Sequence, residues 1–257
     1  MSENCKNCDT EILLNFCGNC GQKKVKRIDR IYLKDEIQYT LIHTNKGFFY
    51  SIKMLLKNPG KTAREFVEGN RVNHYKPLAL VFILSGIVAF LNHSLIHPET
   101  IYAAYKNIQA TKSPFDMNAF YDVMMKYYSF IMLLNVPIMA LFTWLFFKKW
   151  GYNYYENVII CAYYLSLLLV TTTLIVLPTQ YFLSDHPMLF MTIPSILSFA
   201  ISTATFFWFF IGLYNKKSPG DVILRSLLMI GVVMVSFIII CILAGIILAI
   251  VFHWKPH

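Results

Sequence analysis

Five apolar stretches, residues 77–96, 127–147, 158–177, 188–213 and 222–252, constrain this chain more than any other feature. Each reaches the ~20 helical residues needed to cross ~30 Å of hydrocarbon. Only α-helices and closed barrels satisfy their backbone polar groups in lipid, and unbroken apolar runs of this length select helices. Composition agrees: 56% of the chain is hydrophobic and 14% charged, against roughly 25% charged in soluble domains. The 21 Phe and 16 Tyr suit a chain with several bilayer interfaces to line. The expected fold is an all-α polytopic membrane protein with five transmembrane helices and a small N-terminal zinc ribbon. Three parts follow: a ribbon over 1–27, a basic amphipathic arm over 28–76 and a five-span domain over 77–257.

The ribbon rests on four cysteines, Cys5-x2-Cys8 and Cys17-x2-Cys20, with eight residues between the pairs. Two C-x-x-C pairs in a short polar head read either as disulfides or as one four-thiolate zinc site. Thiolates two apart let one backbone turn direct both sulfurs at a tetrahedral ion. The Cys17-Gly-Asn-Cys-Gly run offers glycines where such turns need positive φ. Ile12, Leu13, Leu14 and Phe16 can form a short apolar face over the site. Cys161 and Cys241 fall inside apolar stretches and read as small buried hydrophobes.

Charge sets the orientation. Residues 1–76 hold 14 of the 23 Lys/Arg, and Lys148, Lys149, Lys216, Lys217 and Arg225 lie on the same side. Lys106, Lys112, Lys126 and Lys255 lie on the other, a split of 19 to 4. The positive-inside rule places the N-terminus in the cytoplasm and the C-terminus outside. The ribbon then sits in a reducing compartment, where disulfides rarely persist and thiolates stay available for metal. No signal peptide is read in the first 25 residues, which lack an apolar core. Arg225 is expected to snorkel to the interface.

In the arm, Phe48, Phe49, Ile52, Leu55 and Leu56 recur at helical spacing beside Lys46, Lys53 and Lys57, and Asn58-Pro59-Gly60 stops that helix. Thr62-Ala63-Arg64-Glu65 has capping-box form and starts a second helix carrying Phe66 and Val67. A basic helix with an aromatic apolar face can lie in the interface, its cations toward phosphates, or pack on the ends of the spans. The candidate lipid or partner contacts are Lys57, Lys61, Arg64, Arg71 and Lys76, with His74 alongside. Both hairpin loops on this side read Lys-Lys, Gly, then an acid before an apolar span, Glu156 and Asp221 respectively, as helix capping predicts. Loop residues 97–126 (Ile101, Tyr102, Tyr105, Ile108, Phe115, Phe120, Tyr121) are expected to form short helices on the outer surface.

The run Cys17-Gly-Asn-Cys-Gly-Gln-Lys, Lys46-Gly47, Leu55-Leu56-x-x-Pro59-Gly60, Arg64-Glu65-Phe66, Gly69-Asn70-Arg71 and Tyr75-Lys76-Pro77-Leu78 resembles the bacterial membrane family catalogued as domain of unknown function 3667. That resemblance implies architecture, a zinc ribbon ahead of membrane spans in a bacterial cytoplasmic (inner) membrane, and no reaction. The five-span, N-inside plan with acid-led spans is also similar to Yip-type membrane proteins, non-enzymatic factors in membrane traffic.

The apolar centres of the spans carry no Asp, Glu, Lys, Arg or His, the usual mark of proton relays and ion-coupled transport. Asn135, Thr171, Thr172, Thr173 and the Ser195, Ser198, Ser202, Thr203, Thr205 ladder read as helix-to-helix packing and hydrogen bonding; Pro137 and Pro194 are expected to kink their spans. His93, His97 and His186 near Glu99 and Asp185 match no ligand spacing. Motifs for phosphate loops, zinc proteases and serine hydrolases are absent. Nucleic acid is not favoured, since only Phe16 is at hand for stacking beside Lys23, Lys24, Lys26, Arg27 and Arg30. The reading is a non-enzymatic membrane scaffold or adaptor whose zinc ribbon and basic arm dock a cytosolic protein partner or anionic lipid headgroups; the alternative is a transporter or channel for a small or lipidic solute.

Overall fold

The computed structural model describes residues 3–12, 15–24, 27–30, 32, 47–96 and 117–253. Two short antiparallel strands, β1 (Glu3–Asn4) and β2 (Glu11–Ile12), open the chain, with Glu3 opposite Ile12. Helices follow in order: α1 (Phe48–Lys57), α2 (Pro59–Glu68), α3 (Pro77–Leu95), α4 (Met117–Lys126), α5 (Tyr128–Phe147), α6 (Tyr154–Phe182), α7 (Pro187–Leu213) and α8 (Pro219–His253). Five of them, α3 and α5 to α8, are long and apolar enough to cross a membrane. The fold is therefore an all-α polytopic membrane architecture with a cysteine knuckle at its N-terminus. Residues 101–115 of the outer loop lie outside the described residues, as do Leu13, Leu14, Lys26, Lys46, His97 and Glu99.

Helix boundaries follow local chemistry. Helices α2, α3, α7 and α8 each start on a proline, whose fixed φ and missing N–H suit a first helical position. Helix α6 starts four residues before the expected span because Asn153 and Glu156 close a capping box: Glu156 N donates to Asn153 Oδ1 at 2.8 Å and Asn153 N donates to Glu156 Oε2 at 2.7 Å. Asp221 N likewise donates to Ser218 Oγ at 3.1 Å ahead of α8, so the repeated loop pattern is a pair of caps. Helices α5 and α7 run through Pro137 and Pro194, and α6 continues past Pro178.

Helix α6 is the axis of the bundle, packed against α3, α5 and α7. Ile159, Ile160, Cys161, Ala162, Tyr163 and Leu167 are all fully buried. Helix α5 buries Val136, Ala140, Thr143 and Phe147, one stripe at helical spacing with small residues at its centre; Thr143 lies against Cys161 of α6 and Phe147 stacks on Phe210 of α7. Within the expected hydroxyl ladder, Thr171, Thr172, Thr203 and Thr205 each donate to the carbonyl four residues back on their own helix. That bond satisfies the hydroxyl without a neighbour. Polar contacts between helices include Tyr154 Oη, donating to Pro137 O at 3.3 Å, and Thr143 Oγ1 beside Cys161 Sγ at 3.4 Å, while Tyr163 Oη donates to Tyr75 O at 3.2 Å in the turn before α3.

The arm settles against the spans. Leu55, Ala63, Phe66 and Val67 are buried, while Phe49 is 83% exposed. Helix α2 begins at Pro59 and not at Thr62, whose buried hydroxyl donates to Asn58 O (2.8 Å) and Met54 O (3.1 Å) and so pins α2 back on α1. Gly60 makes the docking possible. A Cβ there would fall inside the backbone of Phe209, Gly212 and Leu213, so α2 and α7 touch backbone to backbone.

Candidate metal centre

Two matching turns build the knuckle. Asp9 N donates to Cys5 O and Cys5 N to Thr10 O, both at 2.9 Å; Gly21 N donates to Cys17 O at 2.9 Å and Cys17 N to Gln22 O at 2.7 Å. The residue after the second cysteine of each pair sits at positive φ: Gly21 at 72° and Asp9 at 55°. Glycine takes this conformation without cost and aspartate tolerates it. Gly18 has no positive φ and open space around it, so only one of the two glycines in that run is needed for the turn.

The turns bring four sulfurs together. Cys5, Cys8, Cys17 and Cys20 place every Sγ within 4.8 Å of the others. Cys5–Cys20 and Cys8–Cys17 stand 3.5 Å apart, close to the ~3.8 Å edge of a tetrahedron with metal–sulfur bonds of ~2.3 Å. All four are free thiols. The donor set fits one tetrahedral, thiophilic metal ion. Cys5 and Cys17 are buried against Ile12, and Cys8 and Cys20 are half-exposed. The Thr10 hydroxyl and backbone lower the Cys8 thiol to about 6, the Asn7 side chain lowers Cys20, and burial pushes Cys5 up to about 11. Cys8 is thus the sulfur readiest to enter as thiolate.

The knuckle does not hang free. Buried Gln22, two residues past Cys20, donates through Nε2 to Gly69 O and accepts from Arg71 N at 3.4 Å through Oε1. Asn73 Nδ2 donates to Asn7 Oδ1 at 3.3 Å. Five residues after Gln22, Arg27 forks onto Glu156 (Nε–Oε1 2.9 Å, Nη2–Oε2 3.1 Å) and donates to Gly151 O at 3.0 Å. Asn153 Nδ2 donates to Ile28 O at 3.1 Å, and Ile28 is fully buried. Sequence reading missed these anchors. The one available signal was Gln22 and Gly69-Asn70-Arg71 falling in the same resemblance.

The proposed contact residues divide. Lys57 is exposed, and Lys61 pairs with Glu65 at 3.5 Å on the surface of α2. Arg64 Nη1 donates to Gly212 O at 2.7 Å and Leu213 O at 3.1 Å, completing the C-terminus of α7. Arg71 Nε donates to Phe66 O at 3.1 Å, ends α2 in the same way, and lies 4.7 Å over the Tyr32 ring. Lys76 is half-buried beside Pro77. His74 is buried among Tyr50, Phe66 and Tyr163 with no partner for Nδ1, and desolvation lowers its pKa while Glu65 opposes the shift. His93 and His186 are exposed. Among the described residues only the four cysteines gather as metal ligands.

Residues 45–89 match the model of the family described as protein of unknown function (DUF3667). That segment contains both arm helices, the 69–71 turn that holds the knuckle, and most of α3. No curated protein matches the chain, and no solved structure does.

Proposed function

Taking as premise the membership in that family which residues 45–89 support, we propose that the chain is a non-enzymatic scaffold of a bacterial cytoplasmic membrane. Its zinc-loaded knuckle caps the cytoplasmic face and, with the basic arm, docks a cytosolic protein partner or anionic lipid headgroups. Zinc is the metal of choice for four thiolates, being tetrahedral and redox-inert. The 19-to-4 charge split supports a cytoplasmic knuckle and an external C-terminus.

The observation that carries this reading is the Gln22 clamp on Gly69 and Arg71. It converts the knuckle from a flexible appendage into a fixed platform at one end of the bundle. Phe16 (58% exposed) stands on the knuckle, bridged to Lys23, and Phe49 (83% exposed) stands on α1 with Lys53 and Lys57 along the same helix. Exposed aromatics with cations suit either an interface anchor or a protein contact.

Full-length wild type and Cys17→Ser, solubilised in neutral detergent, test the proposal by capture with retained proteins and lipids identified. The expected result is a protein or anionic lipid held by wild type and lost from Cys17→Ser, with membrane yield unchanged. Solute flux through proteoliposomes that survives Cys17→Ser, with no partner lost, overturns it in favour of a transporter.

A further inference from the structure

Where α5 ends and α8 begins, two cations share one indole. Arg225 lies 4.9 Å and Lys217 5.8 Å from the centroid of the Trp150 ring. Both lie within the ~6 Å reach of a cation–π contact, so two positive charges gather at one aromatic side chain. Among the described residues neither cation forms an ion pair. The nearest acid in sequence, Asp221, is exposed one turn before Arg225, with its backbone capped by Ser218. Arg225 spends one donor on Phe146 O at 3.2 Å, which holds its guanidinium toward the end of the bundle that bears the knuckle.

The depth is that of headgroups. Helix α8 has 35 residues, ~52 Å at 1.5 Å per residue, well beyond ~30 Å of hydrocarbon. Its opening turns, Arg225 included, can therefore stand in the interface, where tryptophan is also favoured. One turn beyond Arg225 the same helix exposes Leu228, flanked by Leu224 and Leu227. A charged cradle thus leads directly onto an aliphatic track.

We propose that Trp150, Lys217 and Arg225 bind the phosphate of an anionic glycerophospholipid, whose acyl chain runs along Leu224, Leu227 and Leu228. The aliphatic track is what selects a lipid over a free phosphate ion. The site is separate from the knuckle and arm and needs only the membrane fold.

The test is native mass spectrometry of the full-length protein in neutral detergent, titrated with phosphatidylglycerol or phosphatidylcholine. Wild type should retain phosphatidylglycerol in preference to phosphatidylcholine. Arg225→Gln and Lys217→Gln should each weaken retention about five-fold, the factor corresponding to ~1 kcal/mol per cation near an anionic lipid surface. Arg225→Lys should keep it within about two-fold, since a point charge still reaches the phosphate, and in a Cys17→Ser background Arg225→Gln should weaken retention by the same factor as in wild type. Equal retention of the two lipids, no loss in the two glutamine variants, or a loss in Arg225→Lys as large as in Arg225→Gln overturns the proposal. Displacement of the lipid by millimolar inorganic phosphate, or disappearance of the Arg225-dependent retention in Cys17→Ser, overturns it as well.

Discussion

Helices α6 and α8 are both apolar enough to span a membrane, yet 61% of the α6 window is buried in protein against 17% for α8. Helix α6 is the more apolar of the two, but apolarity does not explain the difference. In lipid, apolarity drives insertion and not association, because acyl chains are as apolar as leucine. Association falls to close packing and to polar or aromatic side chains. Helix α6 carries these in its first half: Glu156 and Asn157 at its start, then Cys161, Tyr163, Tyr164 and Ser166. Helix α8 exposes Leu224, Leu227, Leu228, Val232 and Val235. The arm packs on α6 and α7 and the knuckle is tied to the start of α6, while the described side chains of α8 stay largely exposed.

The sharpest way to break that contrast is a matched truncation. Leu167→Ala, at a fully buried site on α6, should cost ~3 kcal/mol through lost packing and a cavity. Leu227→Ala, about half-exposed on α8, should cost under ~0.5 kcal/mol. Denaturation in mixed micelles reads both, and equal costs would erase the distinction between the two helices.

A glycine pair repeats the comparison with the opposite chemistry. Gly60→Ala drives a Cβ into the backbone of α7 and should cost ~2 kcal/mol by overpacking, with faster proteolysis of the arm. At Gly231 of α8 a Cβ meets nothing within 4 Å, so Gly231→Ala should be neutral or slightly stabilising.

Smaller still is the Arg27–Glu156 fork at the start of α6. The Arg27 side chain is 63% exposed and that of Glu156 7%, so water screens much of the pair and Arg27→Ala should cost ~1 kcal/mol. Ser218→Ala, at the exposed cap of α8, should cost about half as much. Double-mutant combination with Glu156→Gln isolates the pair, and a coupling of zero would show that residues 27–28 are held by the bonds to Gly151 and Asn153 without the ion pair.

The smallest effect concerns His74, which abuts Tyr163 of α6, Phe66 of α2 and Tyr50 of α1, with Glu65 the charged neighbour. Burial lowers its pKa, so the unfolded chain binds the proton more readily. Stability should be present above the unfolded value of ~6.5 and decline as pH falls through it. His74→Phe should flatten the thermal midpoint between pH 7 and pH 5 relative to wild type. Comparing the two proteins at one metal loading removes the thiolate contribution, and identical slopes would exclude His74 as the source.

The spans were legible because length and apolarity suffice for them, and the knuckle because C-x2-C spacing dictates where sulfurs can meet. What stayed hidden was partnership. Helix α6 has no one-sided apolar stripe, so no periodicity marked its buried face, and only contact between α5 and α6 shows why Ala140 and Thr143 are small. Thr62 looked like a cap because Thr-x-x-Glu is a capping pattern, but Pro59 had already started the helix. Arg64 and Arg71 read as headgroup ligands because a sequence shows a cation and not the carbonyl it completes. Gln22 carried no signal of its own: its value lies in the two hydrogen bonds its side-chain amide makes to a turn 47 residues away.

A metal-held knuckle fixed to the bundle is tested most directly by elemental analysis of full-length protein purified under reducing conditions. One zinc per chain is predicted, retained in Gln22→Ala, which loosens the clamp without touching a ligand, and lost in Cys17→Ser. Protein without stoichiometric zinc, or with its four N-terminal thiols joined as disulfides in cells, would contradict it.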